Sequence, residues 1–202
     1  MSPPAALKYI NSTSHIQTLR KTATDKHLRP ISRKEIQIYY HAALTGNVAA
    51  WNAYISNLVH DFYSLISEPS NQIFDAVYTI AQQAADNALL RFNTPNWENT
   101  RAIFVQYTGY DPIGDWGGSQ TNMNLEQVKQ RLAEILKVRH SFAHGFDMPA
   151  YTWTQSPSGQ VRLTNKAIKE TEIFFKNLVK VTDIGMKAHI ELTYGLRGCW
   201  QV

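Results

Sequence analysis

Residues 125–145 constrain the fold more than any other stretch. The apolar positions Leu125, Val128, Leu132 and Ile135 follow one another at intervals of three, four and three. That is the spacing of a single buried face on an amphipathic helix. The next steps of the stripe fall on Arg139 and Phe142. Phenylalanine suits such a position and arginine does not, because a guanidinium cannot shed its charge and needs a partner when it is buried. Gly145 offers a helix stop, with His144 directly before it. The plain reading is an arginine that snorkels near a helix end, beside a histidine that complements the helix dipole. The alternative is that the helix ends in a site.

The rest of the chain predicts an all-α protein. Ser32-Arg33-Lys34-Glu35 matches a capping box, and the helix it opens is expected to stop at Thr45-Gly46. Asn47 is then expected to cap a second helix reaching about Ser67, with Trp51, Ile55, Leu58 and Phe62 on one face. Pro69 permits a third start, followed by an apolar stripe of Ile73, Val77, Ile80, Ala81, Ala84, Ala88 and Leu89. A short helix is expected over 98–108. The Gly-rich run 109–118 lacks the Gly-Lys-Ser/Thr ending of a phosphate loop. Asn122 or Asn124 caps the central helix, and Thr164 or Asn165 starts a last helix that runs to Tyr194-Gly195. Between these two helices, Pro157 and Gly159 separate residues 151–154 from 160–163, a β-hairpin signal. The expected architecture is a bundle of about five to six helices with a small β-hairpin excursion after the central one.

Ahead of Ser32 lie Ser, Thr, Pro and basic residues. Two short helices are expected there, at 5–11 and 15–22, before Pro30 breaks the chain. Residues 1–34 hold seven basic side chains against the single acid Asp25, a net +6 in a chain of net +4. A basic arm of that kind can track a phosphate backbone or stand as a solvated leader. The expected organisation is a basic, partly ordered N-terminal arm at 1–31, a helical domain at 32–195 and a tail at 196–202. With 44% apolar and 18% charged residues, the 202-residue chain reads as globular and not disordered. No apolar run has the length of a membrane span, and the first residues lack the pattern of a signal peptide. A lone Cys199 can form neither an internal disulfide nor a cysteine-based zinc site. A cytoplasmic protein is the expectation.

The run Arg139-His140-Ser141-Phe142-Ala143-His144 places an Arg-x4-His pattern at a helix end, with a polar residue directly after the arginine. This resembles the signature of the HEPN superfamily. The surrounding LAEILKVRHSFAHG helix and the YTGYDP turn before it are similar to its RiboL-PSP-like group, and the resemblance covers roughly residues 32–195. It implies an all-helical domain and a metal-independent endoribonuclease with Arg139 and His144 as catalytic residues. It further implies a homodimer with a composite active site, and cyclic-phosphate and 5′-hydroxyl products. Such proteins often act as toxins or in defence against phage, restrained by an antitoxin or other regulatory partner. Asn52 stands where many relatives carry an acid, which puts an acidic role there in doubt. The competing expectation is a catalytically inactive HEPN module that binds a partner protein or nucleotide.

The residue chemistry agrees with the resemblance. RNA carries its own nucleophile, the 2′-hydroxyl, which needs a base to take its proton and an acid for the leaving 5′-oxygen. An imidazole can serve near neutrality, and a guanidinium can hold the charge that builds on phosphorus. Residues five apart lie about 140° apart around a helix, so two helices meeting about a two-fold axis would bring both groups to one cleft better than a single chain. His140 shares a face with His144 at the i, i+4 spacing of a metal-binding pair. No third ligand is apparent, so no metal and no cofactor are expected. His140, Ser141 and Asn52 are supporting candidates, and Lys137, Tyr151, Arg33 and Lys34 are candidate RNA contacts.

Overall fold

The computed structural model describes residues 3–25, 32–66, 72–118, 120–156 and 158–200. Its elements, in chain order, are α1 (Pro4–Thr22), α2 (Arg33–Ile66), α3 (Gln72–Leu89), α4 (Trp97–Thr108), α5 (Ile113–Trp116), α6 (Leu125–His144) and α7 (Asn165–Tyr194). The protein is all-α, with no strand among the described residues. Among the described residues, no helix is long and apolar enough to cross a membrane. The expected starts and breaks at Pro30, Pro69 and Pro157 lie outside the described residues.

α2 is the hub, touching α1, α3, α4, α6 and α7. It opens with the expected capping box: the Ser32 amide donates to the Glu35 carboxylate at 2.6 Å, and the Glu35 amide donates to the Ser32 hydroxyl at 3.2 Å. Hydrogen bonding from the Ser32 hydroxyl, and then from the Ser32 amide, holds the Glu35 carboxyl below its usual range. The expected break at Thr45-Gly46 does not occur. Asn47 does not cap a new helix; its amide bonds back to the Ala43 carbonyl at 2.9 Å, inside one continuous helix. Gly46 is there for packing, since a Cβ would lie 3.0 Å from Ile16 Cγ1 of α1.

The two short N-terminal helices expected at 5–11 and 15–22 are one helix, packed along α2 through buried Ala5, Ala6, Tyr9 and Ile16. Some of its basic character is already spent internally. Lys8 donates to Asn57 at 3.2 Å, and Arg20 pairs with Glu172 of α7 at 2.9 Å with both side chains largely buried.

The core centres on Trp51, fully buried, with its ring against Tyr54, Trp116 and Phe175 at 5.4, 6.0 and 5.9 Å. The polar tips of Trp51, Trp116 and Tyr54 are bonded, as burial demands. Trp51 donates to the Pro95 carbonyl, Trp116 to Thr182, and Tyr54 to Asp183 at 2.6 Å. Burial raises the Asp183 carboxyl to about 7; the Tyr54 hydrogen bond opposes the shift and Asp61 adds to it. Gly185 of α7 lies against the Tyr110 hydroxyl and the Asp115 carboxylate, so a Cβ there would collide with both.

Two further expectations are corrected. The stripe expected to bury α3 leaves Val77 and Ile80 61% and 68% exposed, with Ala85 the buried residue. α3 lies on α2 and α4, and no described element covers its other side. The β-hairpin after the central helix is also absent. The Thr154 hydroxyl bonds the Tyr151 amide and the Pro149 carbonyl, which winds 152–154 into a 3-10 turn. What remains of the hairpin is an isolated bridge between Gln155 and Val161.

Candidate active site

α6 carries the site because its two ends are fixed by local chemistry. Asn124 and Gln127 cap the N-terminus reciprocally, each side chain bonding the other's amide at 2.9 Å. Gly145 closes the C-terminus at φ +68°, the left-handed cap that favours glycine. The Phe146 amide then reaches back to the Ser141 carbonyl at 2.8 Å, folding the chain over the last turn.

The buried seam of α6 is Val128, Leu132, Ile135, Val138 and Ser141. It therefore steps by three after Ile135 and misses the expected positions 139 and 142. A helix of 3.6 residues per turn admits either step. Ser141 can occupy the seam because its hydroxyl donates to the Val138 carbonyl at 2.9 Å. Arg139 is displaced to the flank and is half-buried, not sealed in a dry core. Phe142 is 45% exposed and stacks on His41 of α2, ring centroids 4.3 Å apart and planes within 6°. That contact braces the end of α6 against the hub. Burial lowers the His41 imidazole below its ordinary value, and its Nδ1 is buried without a partner.

Beside this end lies an open pocket of about 420 Å³. Lys137, Arg139, His140 and Ser141 line it from α6, Phe146, Asp147 and Pro149 from the following loop, and Thr94 from the loop before α4. An arginine and a lysine share the pocket with one carboxylate, and among the described residues none of the three is in an ion pair. His144 is exposed and does not line the pocket, but its ring lies 4.2 Å from that of His140. Phe146 completes the group, 6.0 Å from His140 and 5.9 Å from His144. An anion entering the pocket would meet unneutralised guanidinium and ammonium groups with an imidazole beside them. Among the described residues, no group of three His, Cys, Asp or Glu side chains is arranged to hold a metal ion.

The other candidates are dispersed. Asn52 lies on α2 and outside the pocket. Its amide donates to the Phe92 carbonyl at 3.3 Å, and its Oδ1 is buried without a partner. It thus supports the 92–96 loop, which delivers Thr94. Arg33 and Lys34 are exposed at the start of α2, about 12 Å along the axis from His41 by helical rise. Tyr151 lines a different groove, on the other side of the loop after α6. Sequence reasoning missed Thr94, Phe146 and Asp147. An apolar residue directly after a C-terminal glycine commonly packs back on the helix, a signal that would have found Phe146. Nothing local marks Thr94.

The all-helical bundle, whose penultimate long helix ends in arginine, histidine and a left-handed glycine beside the pocket, agrees with the resemblance drawn from the sequence. The chain belongs to the RiboL-PSP-HEPN family, which it matches over residues 7–188, almost its whole length. No curated protein and no solved structure matches it.

Proposed function

We propose that the protein is a metal-independent endoribonuclease. Arg139 and His144 cleave RNA by activating attack of the 2′-hydroxyl on the adjoining phosphate. The hydroxyl's proton passes to a base, the 2′-oxygen bonds phosphorus, and the P–O5′ bond breaks as the leaving oxygen gains a proton. The products are a cyclic phosphate and a 5′-hydroxyl. One observation carries this reading: Arg139 and Lys137 line an open pocket with a single carboxylate, Asp147, and among the described residues neither is ion-paired to it, beside the paired imidazoles of His140 and His144. A fixed guanidinium suits the charge that builds on phosphorus, and an imidazole suits the proton transfers.

The active unit in this proposal is a homodimer. His144 stands outside its own chain's pocket, so the second imidazole arrives from a partner α6 across a two-fold axis. Family membership supports an RNase or nucleotide-related role at its own level of detail. Action as a toxin or phage-defence effector held in check by a partner is part of the same proposal. The test is purified protein incubated with total RNA in excess chelator, with the new ends identified. Fragments ending in cyclic phosphate and 5′-hydroxyl are expected.

The position of His144 also favours a second reading, a non-catalytic module that binds nucleotide or a partner protein. Tight binding without any RNA scission in the same assay would select it.

A further inference from the structure

A groove of about 1150 Å³ lies apart from the pocket at Arg139. It runs between the middle of α6, the loop after it and the start of α7. Its walls differ in kind from those of the pocket. Tyr151 and Trp153 present near-parallel rings, planes within 7° and centroids 6.3 Å apart. The Arg131 guanidinium backs the Trp153 ring at 4.0 Å. The indole N–H is spent on Glu134 at 2.9 Å, and Gln130 donates to the other oxygen of that carboxylate. The shelf is therefore rigid before any ligand arrives.

Its charge is balanced: Arg131 and Lys166 face Glu134 and Glu170. A groove meant for phosphate would not carry two carboxylates. What it offers instead is flat aromatic surface together with neutral hydrogen-bonding groups. The Gln127 carbonyl is used by the Asn124 cap, while its NH2 and the whole Asn122 amide have no partner among the described residues. Flat rings plus amide donors and acceptors match the face and edge of an unpaired nucleobase. The groove also exceeds the roughly 300–1,000 Å³ of an ordinary small-molecule cleft, which suits a segment of polymer.

We propose that this groove is a base-stacking subsite for single-stranded RNA, holding a nucleotide next to the scissile one on the shelf of Tyr151 and Trp153. The position of the connecting loop supports it. Asp147 and Pro149 line the pocket at Arg139, and Ala150, the next residue, lines the groove. A strand whose phosphate rests at Arg139 passes over that loop into the groove. The choice of RNA rests on the nuclease reading; the aromatic, charge-balanced character of the site does not.

The test uses full-length protein carrying His144→Ala, so that RNA survives. Its binding to a short single-stranded oligoribonucleotide is compared with binding to the same strand made abasic at one position, with and without Tyr151→Leu. Stacking of one base is worth about tenfold in affinity. The parent should therefore lose about tenfold on the abasic strand, and Tyr151→Leu should lose about tenfold on the intact strand and nothing further on the abasic one. A thiouridine-bearing strand should crosslink at Tyr151 or Trp153 in the unaltered groove, a readout that needs no folding of a variant. Equal binding of intact and abasic strands, or crosslinks confined to residues 137–147, overturns the subsite. If base-dependent binding holds but the wild-type chain cuts no RNA, the groove stands and the nuclease reading falls. If cutting occurs without base dependence, the groove alone falls.

Discussion

Arg131 and Arg139 stand eight residues apart on one helix, and the protein treats them in opposite ways. Arg131 is stacked on Trp153 and flanked by Glu134 and Glu170. Burial lowers its pKa to about 10, while the two glutamates pull the other way. Arg139, two turns on, lines an open pocket with Asp147, and among the described residues no ring stacks on its guanidinium and no carboxylate pairs with it. A cation that has been given partners is part of the structure. One left without partners at a half-buried position costs stability unless a ligand supplies the missing anion. The difference is what supports placing the proposed phosphate site at the C-terminal end of α6.

Substitutions at the two arginines should therefore separate activity from stability. Arg139→Ala is expected to lower RNA cleavage by roughly 10²–10³-fold, the usual loss for one donor to a developing oxyanion, with a melting temperature unchanged or raised, because an unpaired half-buried charge has been removed. Cleavage retained, or a large drop in melting temperature, would erase the contrast. The dimer proposal sharpens it. Arg139→Ala and His144→Ala chains, each inactive alone, should recover on the order of a quarter of wild-type activity when mixed and re-annealed, because half of the dimers carry one intact composite site. No recovery would place both groups in one chain.

Asp183 provides a smaller effect away from the site. Its carboxyl keeps its proton up to about pH 7 in the folded protein but releases it near 4 when unfolded. Its contribution to stability is thus full below about pH 4 and is lost as pH rises to about 7. Relative to Asp183→Asn, the wild type should lose on the order of a few kcal/mol between those limits, measured by urea unfolding at each pH. A difference independent of pH would refute it. Least in size, Arg131→Met should cost about 1–2 kcal/mol of stability, a partly desolvated cation–π contact, measured by urea unfolding.

How much of this was legible in the sequence follows from the range of each interaction. Short-range chemistry was readable. Ser32 with Glu35, Asn124 before α6, Thr164 before α7 and Gly145 after α6 all cap where their residue types imply. The all-helical class and the family followed from periodicity and the Arg-x4-His pattern. What failed depended on distant partners. Gly46 resembles a stop until Ile16 of another helix is seen against it. The hairpin was lost because Thr154 found bonds within its own turn and Trp153 found Glu134 on α6. The seam at 139 shifted by one residue because Ser141 could satisfy its hydroxyl on its own helix. The groove at Trp153 was invisible for the same reason: its ring, its arginine and its glutamate come together only when the loop folds back on α6.

The most direct measurement compares two RNA strands that differ by a single 2′-hydroxyl at the cleaved nucleotide, each incubated in chelator with wild-type protein and with Arg139→Ala. The account predicts scission of the all-ribose strand by wild type and of neither strand by the variant, with the deoxy strand intact throughout. Cutting of the deoxy strand at that position, or of either strand by Arg139→Ala at the wild-type rate, would contradict it.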